Sequence, residues 1–362
     1  MPVKPVDIIT FLSLCPSYPV LDVRSPSEYV HAHIPGAVSF PLFTDQERKV
    51  VGTTYKQKGR NAAVNIGIGY FSASMKQMAD KAHAVIKENA DADNTVLVHC
   101  WRGGMRSEAV AWLLSLYGYD VFVLKGGYKS FRRWTHQVFE KKYRIKILGG
   151  NTGSGKTEML QHLATEGHAV IDLEALANHR GSTFGALGQK PQPTQEMFEN
   201  NLALRLKDFE ETVYNVNGYP KTLWMEDESR HIGSVGIPEA LWKQMRRAEL
   251  YFLDIPVNAR LKHIVREYGR FDKESIITCI IRIKKRLGGQ RAKESIAQLE
   301  AGNLEACFEI LINYFDKYYY KALNNRDDLQ SCLHLISADT VNINNVLLLP
   351  LEDPTMHQQI SK

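Results

Sequence analysis

Cysteine is scarce in this chain, and none of it is arranged for a structural role. Cys15, Cys100, Cys279, Cys307 and Cys332 are scattered, with no CxxC pair. That excludes a disulfide framework and a zinc clasp. No apolar run approaches the roughly 20 residues that would cross a bilayer. The opening MPVKPVDIITFLSLC lacks a signal-peptide layout, because its apolar run is short and contains Asp7. A cytoplasmic protein with no membrane contact is therefore expected. Internal repeats and low-complexity segments are absent as well. The charge imbalance is slight, at +5 overall, and by itself implies no nucleic-acid partner.

What is present describes an ordinary globular chain, 44% apolar and 23% charged over 362 residues, long enough for two domains that each bury a core. Residues 18–42 read as a short buried strand, a turn at Ser25 and Pro26, a brief helix and a Pro–Gly turn. Residues 43–70 are polar and glycine-bearing and read as a long surface connection. A helix is expected over 72–88, where Met75, Met78, Ala79, Ala82 and Ile86 recur at helical spacing. Strand 95–99, helix 107–116 and strand 120–127 follow. A polar, aromatic, basic stretch over 128–144 reads as helical. Further strands are expected at 144–150, 169–172, 222–226 and 250–255, with helices between and after them. Strands alternating with helices predict α/β architecture with parallel sheets. The boundaries expected are a first domain over 1–135, a linker over 136–144, a second domain over 145–350 and a flexible tail over 351–362.

The segment HCWRGGMRS (His99–Ser107) places a cysteine after a strand and before a helix. Loop amides then converge at the positive end of a helix dipole, and nearby cations lower a thiol's pKa. Gly103 and Gly104 let the backbone curl; Arg106, with Arg102 beside it, can clamp a tetrahedral anion. Ser107 can cap the helix. Cys100, Arg106 and Arg102 are the candidate catalytic residues. The flanking segments LDVRSPSEYVHAHIPGAVSFP and VLKGGYKSFRRW resemble the opening and closing signatures of rhodanese-type domains, which carry sulfur or selenium on the loop cysteine. Most of those separate Cys and Arg by four residues, whereas five stand here. HC-x5-R is also the spacing of cysteine-dependent phosphatases. The loop alone leaves chalcogen transfer and phosphatase chemistry open.

The segment GGNTGSGKT (Gly149–Thr157) fits the full phosphate-loop pattern between an expected strand and helix. The backbone of Gly150, Gly153 and Gly155 would wrap a diphosphate and Lys156 would neutralise it, with Thr157 and Glu226 as candidate Mg²⁺ ligands. ATP and another diphosphate fit this pattern equally. TLWMEDESRHIG (Thr222–Gly233) adds Glu226, Asp227, Glu228 and Arg230, and VIDLEALANHRGSTFG (Val170–Gly185) adds Asp172, Glu174 and Arg180. In open α/β sheets such groups gather at the carboxyl ends of strands. Glu226, Asp172, Arg180 and Arg230 are therefore assigned to the phosphate site.

Between Pro256 and Lys293 stand eleven Lys/Arg against three Asp/Glu, a local excess of +8. Arg260, His263, Arg266 and Arg270 share one helical face, and Arg282, Lys284, Lys285, Arg286 and Arg291 cluster just beyond. Tyr314, Phe315, Tyr318, Tyr319 and Tyr320 follow. Cations position a phosphate backbone and aromatic rings stack on splayed bases, so an RNA-binding surface is expected here.

A rhodanese-like domain joined to a phosphate-loop domain that carries HRGSTFG, WMEDESRHIG and KKRLGGQR resembles the tRNA 2-selenouridine synthase family. The resemblance covers nearly the whole chain. It implies replacement of sulfur by selenium at C2 of wobble 2-thiouridine in tRNAs for Lys, Glu and Gln, through an S-geranyl intermediate. Geranyl diphosphate and selenophosphate would be co-substrates, the tRNA anticodon stem-loop the macromolecular substrate, and a selenophosphate-supplying enzyme a partner. Carried onto Cys100, it implies an S-selanylcysteine. Two rival classes are a cysteine-dependent phosphatase fused to a nucleotide-binding module, and an RNA-binding ATPase with a sulfur-carrier domain.

Overall fold

The computed structural model describes residues 3–88, 94–211, 222–326 and 328–351. From residue 352 the expected tail lies outside them. The chain divides into two compact units, Met1–Val138 and Phe139–Lys362.

In the first unit, strands β1 (Lys4–Val6), β2 (Val20–Asp22), β3 (Val38–Ser39), β4 (Thr95–His99) and β5 (Asp120–Leu124) form one sheet in the order β1-β5-β4-β2-β3. Every pairing is parallel. All five residues of β4 are buried, as a central parallel strand requires. The helices are α1 (Ile8–Leu14), α2 (Pro26–His31), α3 (Asp45–Glu88), α4 (Met105–Leu116) and α5 (Gly127–Glu140). Val110, Ala111 and Leu114 of α4 pack with Val96, Val98 and Val121 of the sheet in one core.

The surface connection expected over 43–70 is instead helix. Thr44 and Glu47 open α3 with a reciprocal cap: Thr44 N donates to Glu47 Oε2 at 2.8 Å, and Glu47 N to Thr44 Oγ1 at 3.3 Å. The helix breaks at Gly59 (φ 82°, ψ −177°), a conformation that suits a residue without Cβ. Before residue 72 it buries Thr54, Ala63 and Gly67. These buried residues are small and widely spaced, and an apolar series at helical spacing, Val64, Ile68 and Phe71, begins only after the break.

The second unit holds a second parallel sheet. Its strands are β6 (Ile145–Gly150), β7 (Ala169–Ile171) and β8 (Leu223–Glu226), then β11 (Glu249–Asp254) and β12 (Leu333–Ser337), in the order β12-β11-β6-β8-β7. Between β8 and β11 in the chain, β9 (His231–Ile232) and β10 (Val235–Gly236) make a small antiparallel pair. The helices are α6 (Lys156–Thr165), α7 (Leu173–Ala177), α8 (Gln195–Glu211), α9 (Glu239–Arg247), α10 (Val257–Tyr268), α11 (Lys273–Leu287), α12 (Gly289–Glu300), α13 (Leu304–Asn324) and α14 (Leu329–Cys332). Edge strands β1 and β12 are largely exposed and short, and neither shows the alternation that would announce it.

The basic segment packs because its helices are amphipathic. Ile276, Ile280, Ile283 and Leu287 form the buried stripe of α11, against Leu299 of α12 and Phe308 and Leu311 of α13. The cations between them point outward. Among the described residues no helix is long and apolar enough to cross a membrane.

Candidate functional site

Strand β4 delivers Cys100 to the start of a loop that runs straight into α4. Two glycines make the turn possible. A Cβ on Gly103 (φ 65°) would lie 2.6 Å from Leu124 O, and one on Gly127 (φ 58°) 2.4 Å from Cys100 O. The loop is pinned from behind, where Tyr128 N donates to Cys100 O at 2.8 Å and Lys129 N to Trp101 O at 3.0 Å. The KGGY segment is thus the backing of the cysteine loop.

The Cys100 sulfur lies 3.2 Å from Ser107 Oγ, which also lies 2.9 Å from Gly104 O. Burial would push the thiol up. The Ser107 hydroxyl, backbone contacts at Gly104 and Arg102 and the Arg106 charge outweigh it and hold the thiol below its ordinary pKa. Beneath the loop, Arg24 grips Asp22 through Nε and Nη2, donates to Ala32 O, and stacks 3.8 Å from the centre of the Tyr128 ring. His99 is fully buried, and burial keeps it below the usual imidazole range.

Cys100, Arg102 and Arg106 line one cavity of about 1020 Å³. Arg102 is exposed there. Arg106 Nη1 instead donates to Glu28 Oε2 at 2.8 Å, and the same carboxylate caps α2 through Ser25 N. Burial favours a neutral Glu28, but Arg106 prevails and keeps it ionised. Glu28 was missed in the sequence, because nothing in its local pattern beyond a capping box reveals a partner 78 residues away.

The second site forms where β6 ends. Gly150, Gly153 and Gly155 take φ values of 147°, 81° and 79°, and Lys156 Nζ curls back to donate to Gly150 O at 2.7 Å. These residues line a cavity of about 920 Å³ together with Thr157, Glu226, Arg180 and Arg230. Arg180 is held by Glu267 at 2.6 Å and Arg230 approaches Glu239 at 3.5 Å. Asp172 is not among the lining residues. It caps α7, accepting from Ala175 N at 2.7 Å, and reaches Glu226 from behind.

Glu226 meets Glu174 and Glu228, with one carboxylate oxygen of each within 4.8 Å of the other two. Thr157 Oγ1 donates to Glu174 Oε2 at 3.4 Å. Burial and mutual repulsion raise all three, Glu174 to about 7 and the other two well above the ordinary carboxylate value. Glu226 Oε2 is buried without a partner. An all-oxygen set with an unsatisfied buried acceptor fits a hard divalent cation such as Mg²⁺. Glu174 and Glu228 would join Thr157 and Glu226 in holding it.

The tyrosine run also reaches this loop. Tyr319 Oη accepts from Gly150 N at 3.2 Å and donates to Asp227 Oδ2 at 2.6 Å, and Arg326 pairs with the other Asp227 oxygen. Tyr320 Oη accepts from Asn151 Nδ2 at 3.1 Å. Arg260, expected on an RNA-facing helix surface, is instead 2% exposed. It bridges Thr152 O and the Asp316 carboxylate, so it braces the phosphate loop. Of the basic cluster, Arg286 lines the phosphate-loop cavity. Arg282, Lys284, Lys285 and Arg291 stand exposed on α11 and α12, outside that lining.

Residues 143–334 match the family model described as the tRNA 2-selenouridine synthase AAA domain, and residues 12–133 that of the rhodanese-like domain. A tRNA 2-selenouridine synthase of Shewanella sediminis is 34% identical over 341 residues, 85% of this chain and 89% of that protein. One from Nitrosomonas europaea is 37% identical over 267 residues, 73% of this chain and 66% of the relative, and one from Nitrosomonas eutropha is 38% identical over 69% and 63%. The chain thus spans just under two thirds of the Nitrosomonas proteins.

The thiol's environment makes a direct prediction. Iodoacetamide should alkylate Cys100 ahead of Cys307, whose pKa burial pushes up to about 11. In Ser107→Ala the pH midpoint of the Cys100 reaction should move upward. An unmoved midpoint would remove the hydroxyl as the cause.

Proposed function

The chain belongs to the tRNA 2-selenouridine synthase family, and we propose that it converts wobble 2-thiouridine in tRNA to 2-selenouridine through an S-geranyl base. The observation that carries this reading is the presence in one chain of two anion cradles of different chemistry. One is centred on an activated thiol and the other on a glycine-rich loop.

In the first step the thiouridine sulfur attacks the allylic carbon of geranyl diphosphate, and pyrophosphate leaves. The phosphate-loop amides and Lys156 would bind that diphosphate, stabilising charge as it develops on the leaving group. Arg180 and Arg230 stand at the same cavity to meet its outer oxygens. A Mg²⁺ held by Thr157, Glu226, Glu174 and Glu228 would supply further charge neutralisation. Alkylation turns a thiocarbonyl sulfur into a thioether, which leaves C2 more readily.

In the second step the loop of Cys100 binds selenophosphate, its P–Se bond breaks as the phosphoryl group passes to water, and the selenide adds at C2 and expels geranylthiol. The net change consumes selenophosphate and water and releases geranylthiol and phosphate. Arg102 is free to meet the tetrahedral anion, and Arg106 would do so by releasing Glu28. The exposed cations of α11 and α12 would hold the tRNA backbone.

Cys100→Ser should stop selenium incorporation while S-geranyl tRNA accumulates, seen by mass spectrometry of wobble nucleosides; loss of both steps would contradict the division of labour. Lys156→Ala should slow geranylation by about 10²–10³-fold, and an unchanged rate would take the diphosphate out of that loop. Reversing Lys284, Lys285 and Arg291 to Glu should weaken tRNA binding and flatten its salt dependence by about one unit of slope per lost contact. Equal slopes would place the cluster off the RNA path.

A further inference from the structure

The cavity beside Cys100 is far larger than a small tetrahedral anion requires. Selenophosphate needs only the loop and its cations, yet about 1020 Å³ opens beside them. Away from the loop Leu42, Phe43, Val51, Val64, Ile68 and Phe71 form an apolar stretch of its wall, beside a polar stretch that includes Glu28, His31, Arg48 and Lys56. Val51 precedes the Gly59 break in α3 and Val64, Ile68 and Phe71 follow it, so both segments of the broken helix face one space.

The rim carries exposed apolar side chains beside the exposed cations Lys56 and Arg102. Tyr55 is 55% exposed, Ile68 59%, Met105 48% and Trp101 37%, and all four border this cavity. Single exposed apolar side chains are common on soluble proteins. Four around one concavity, with the reactive sulfur at its base, mark a ligand surface. The ligand that fits has a polar reacting end at the cysteine loop and a flexible hydrocarbon chain of several carbons behind it.

We propose that this cavity seats the ten-carbon isoprenoid chain of the S-geranyl base while its C2 lies at the Cys100 loop. The inference rests on the geranyl reading above and places the chain in the first unit, apart from the phosphate loop. Half-buried Val64 and exposed Ile68 make contact along the chain, and Trp101 and Met105 cover its attachment to the sulfur. The cavity thereby selects a prenylated base over the bare 2-thiouridine, which offers nothing to fill it.

The test uses equilibrium dialysis of the full chain with synthetic S-geranyl-2-thiouridine nucleoside, and with the S-methyl nucleoside as a control. The wild-type protein should prefer the geranyl compound by about tenfold or more. Ile68→Glu, which puts a charge into the wall from an exposed position, should abolish that preference, and Val64→Trp should do so by filling the space. Alkylation of Cys100 at the wild-type rate would show that the loop is intact in both variants. Equal binding of the two nucleosides by the wild type, or an undiminished preference in both variants, would overturn the proposal. Geranyl diphosphate separates the donor from the thioether as the source of the chain. Its binding should survive Ile68→Glu, and a matching loss would move the donor into this cavity and overturn the assignment. Dialysis reads binding without turnover, so a protein that selects the geranyl nucleoside but makes no geranylated tRNA would retain this cavity and lose the reaction scheme instead.

Discussion

Both proposed chemistries depend on one backbone arrangement, a buried parallel strand that ends in a glycine-bearing turn and passes directly into a helix. The turn curls backbone N–H groups toward one point, and the helix dipole adds to their field. Strand β4 does this for Cys100 and β6 does it for the phosphate loop. In the first case the field acts on a resident sulfur, which burial alone would keep protonated. In the second it has no resident anion, and Lys156 turns back onto Gly150 O. Each strand is held centrally by parallel neighbours on both sides, so neither turn can shift without disturbing its sheet.

Around these turns the protein balances buried charge with tight partners. Asp22 and Arg24 neutralise each other under the cysteine loop, with the Tyr128 ring closing over the guanidinium. Arg260 and Asp316 do the same beside Thr152, and Asp227 shares its two oxygens between Tyr319 and Arg326. Breaking such a pair leaves an uncompensated charge, at a cost of about 3–5 kcal/mol. These are therefore fixed supports. The exception is the meeting of Glu174, Glu226 and Glu228, where like charges converge and one oxygen finds no partner. Repulsion of that kind is retained where a cation or a proton resolves it.

The two loops were legible because each is a contiguous pattern flanked by an apolar run and a helix start. So were the parallel sheets, since buried strands alternate with helices. What escaped notice depends on contacts across long stretches of chain. Glu28 meets Arg106, Tyr319 meets Asp227, and Arg260 meets Asp316; no local spacing encodes such pairs. Arg260 reads as a surface cation because its helix is basic, but the buried face of that helix carries the arginine inward. The first part of α3 reads as a connection over 43–70, because its burial there falls on small residues, even though Thr44 and Glu47 spell a cap; its second part is the helix expected over 72–88. A connection over the first part would leave the cavity beside Cys100 without the helix that helps to wall it.

The central claim is that one chain holds two independent anion sites, one at the Cys100 sulfur and one at the phosphate loop. Thiophosphate has the charge and tetrahedral shape of selenophosphate, and labelled pyrophosphate reports the other site. The account predicts that saturating thiophosphate slows alkylation of Cys100 while leaving bound pyrophosphate in place on the full chain. Displacement of pyrophosphate by thiophosphate, or protection of Cys100 by pyrophosphate alone, would contradict it.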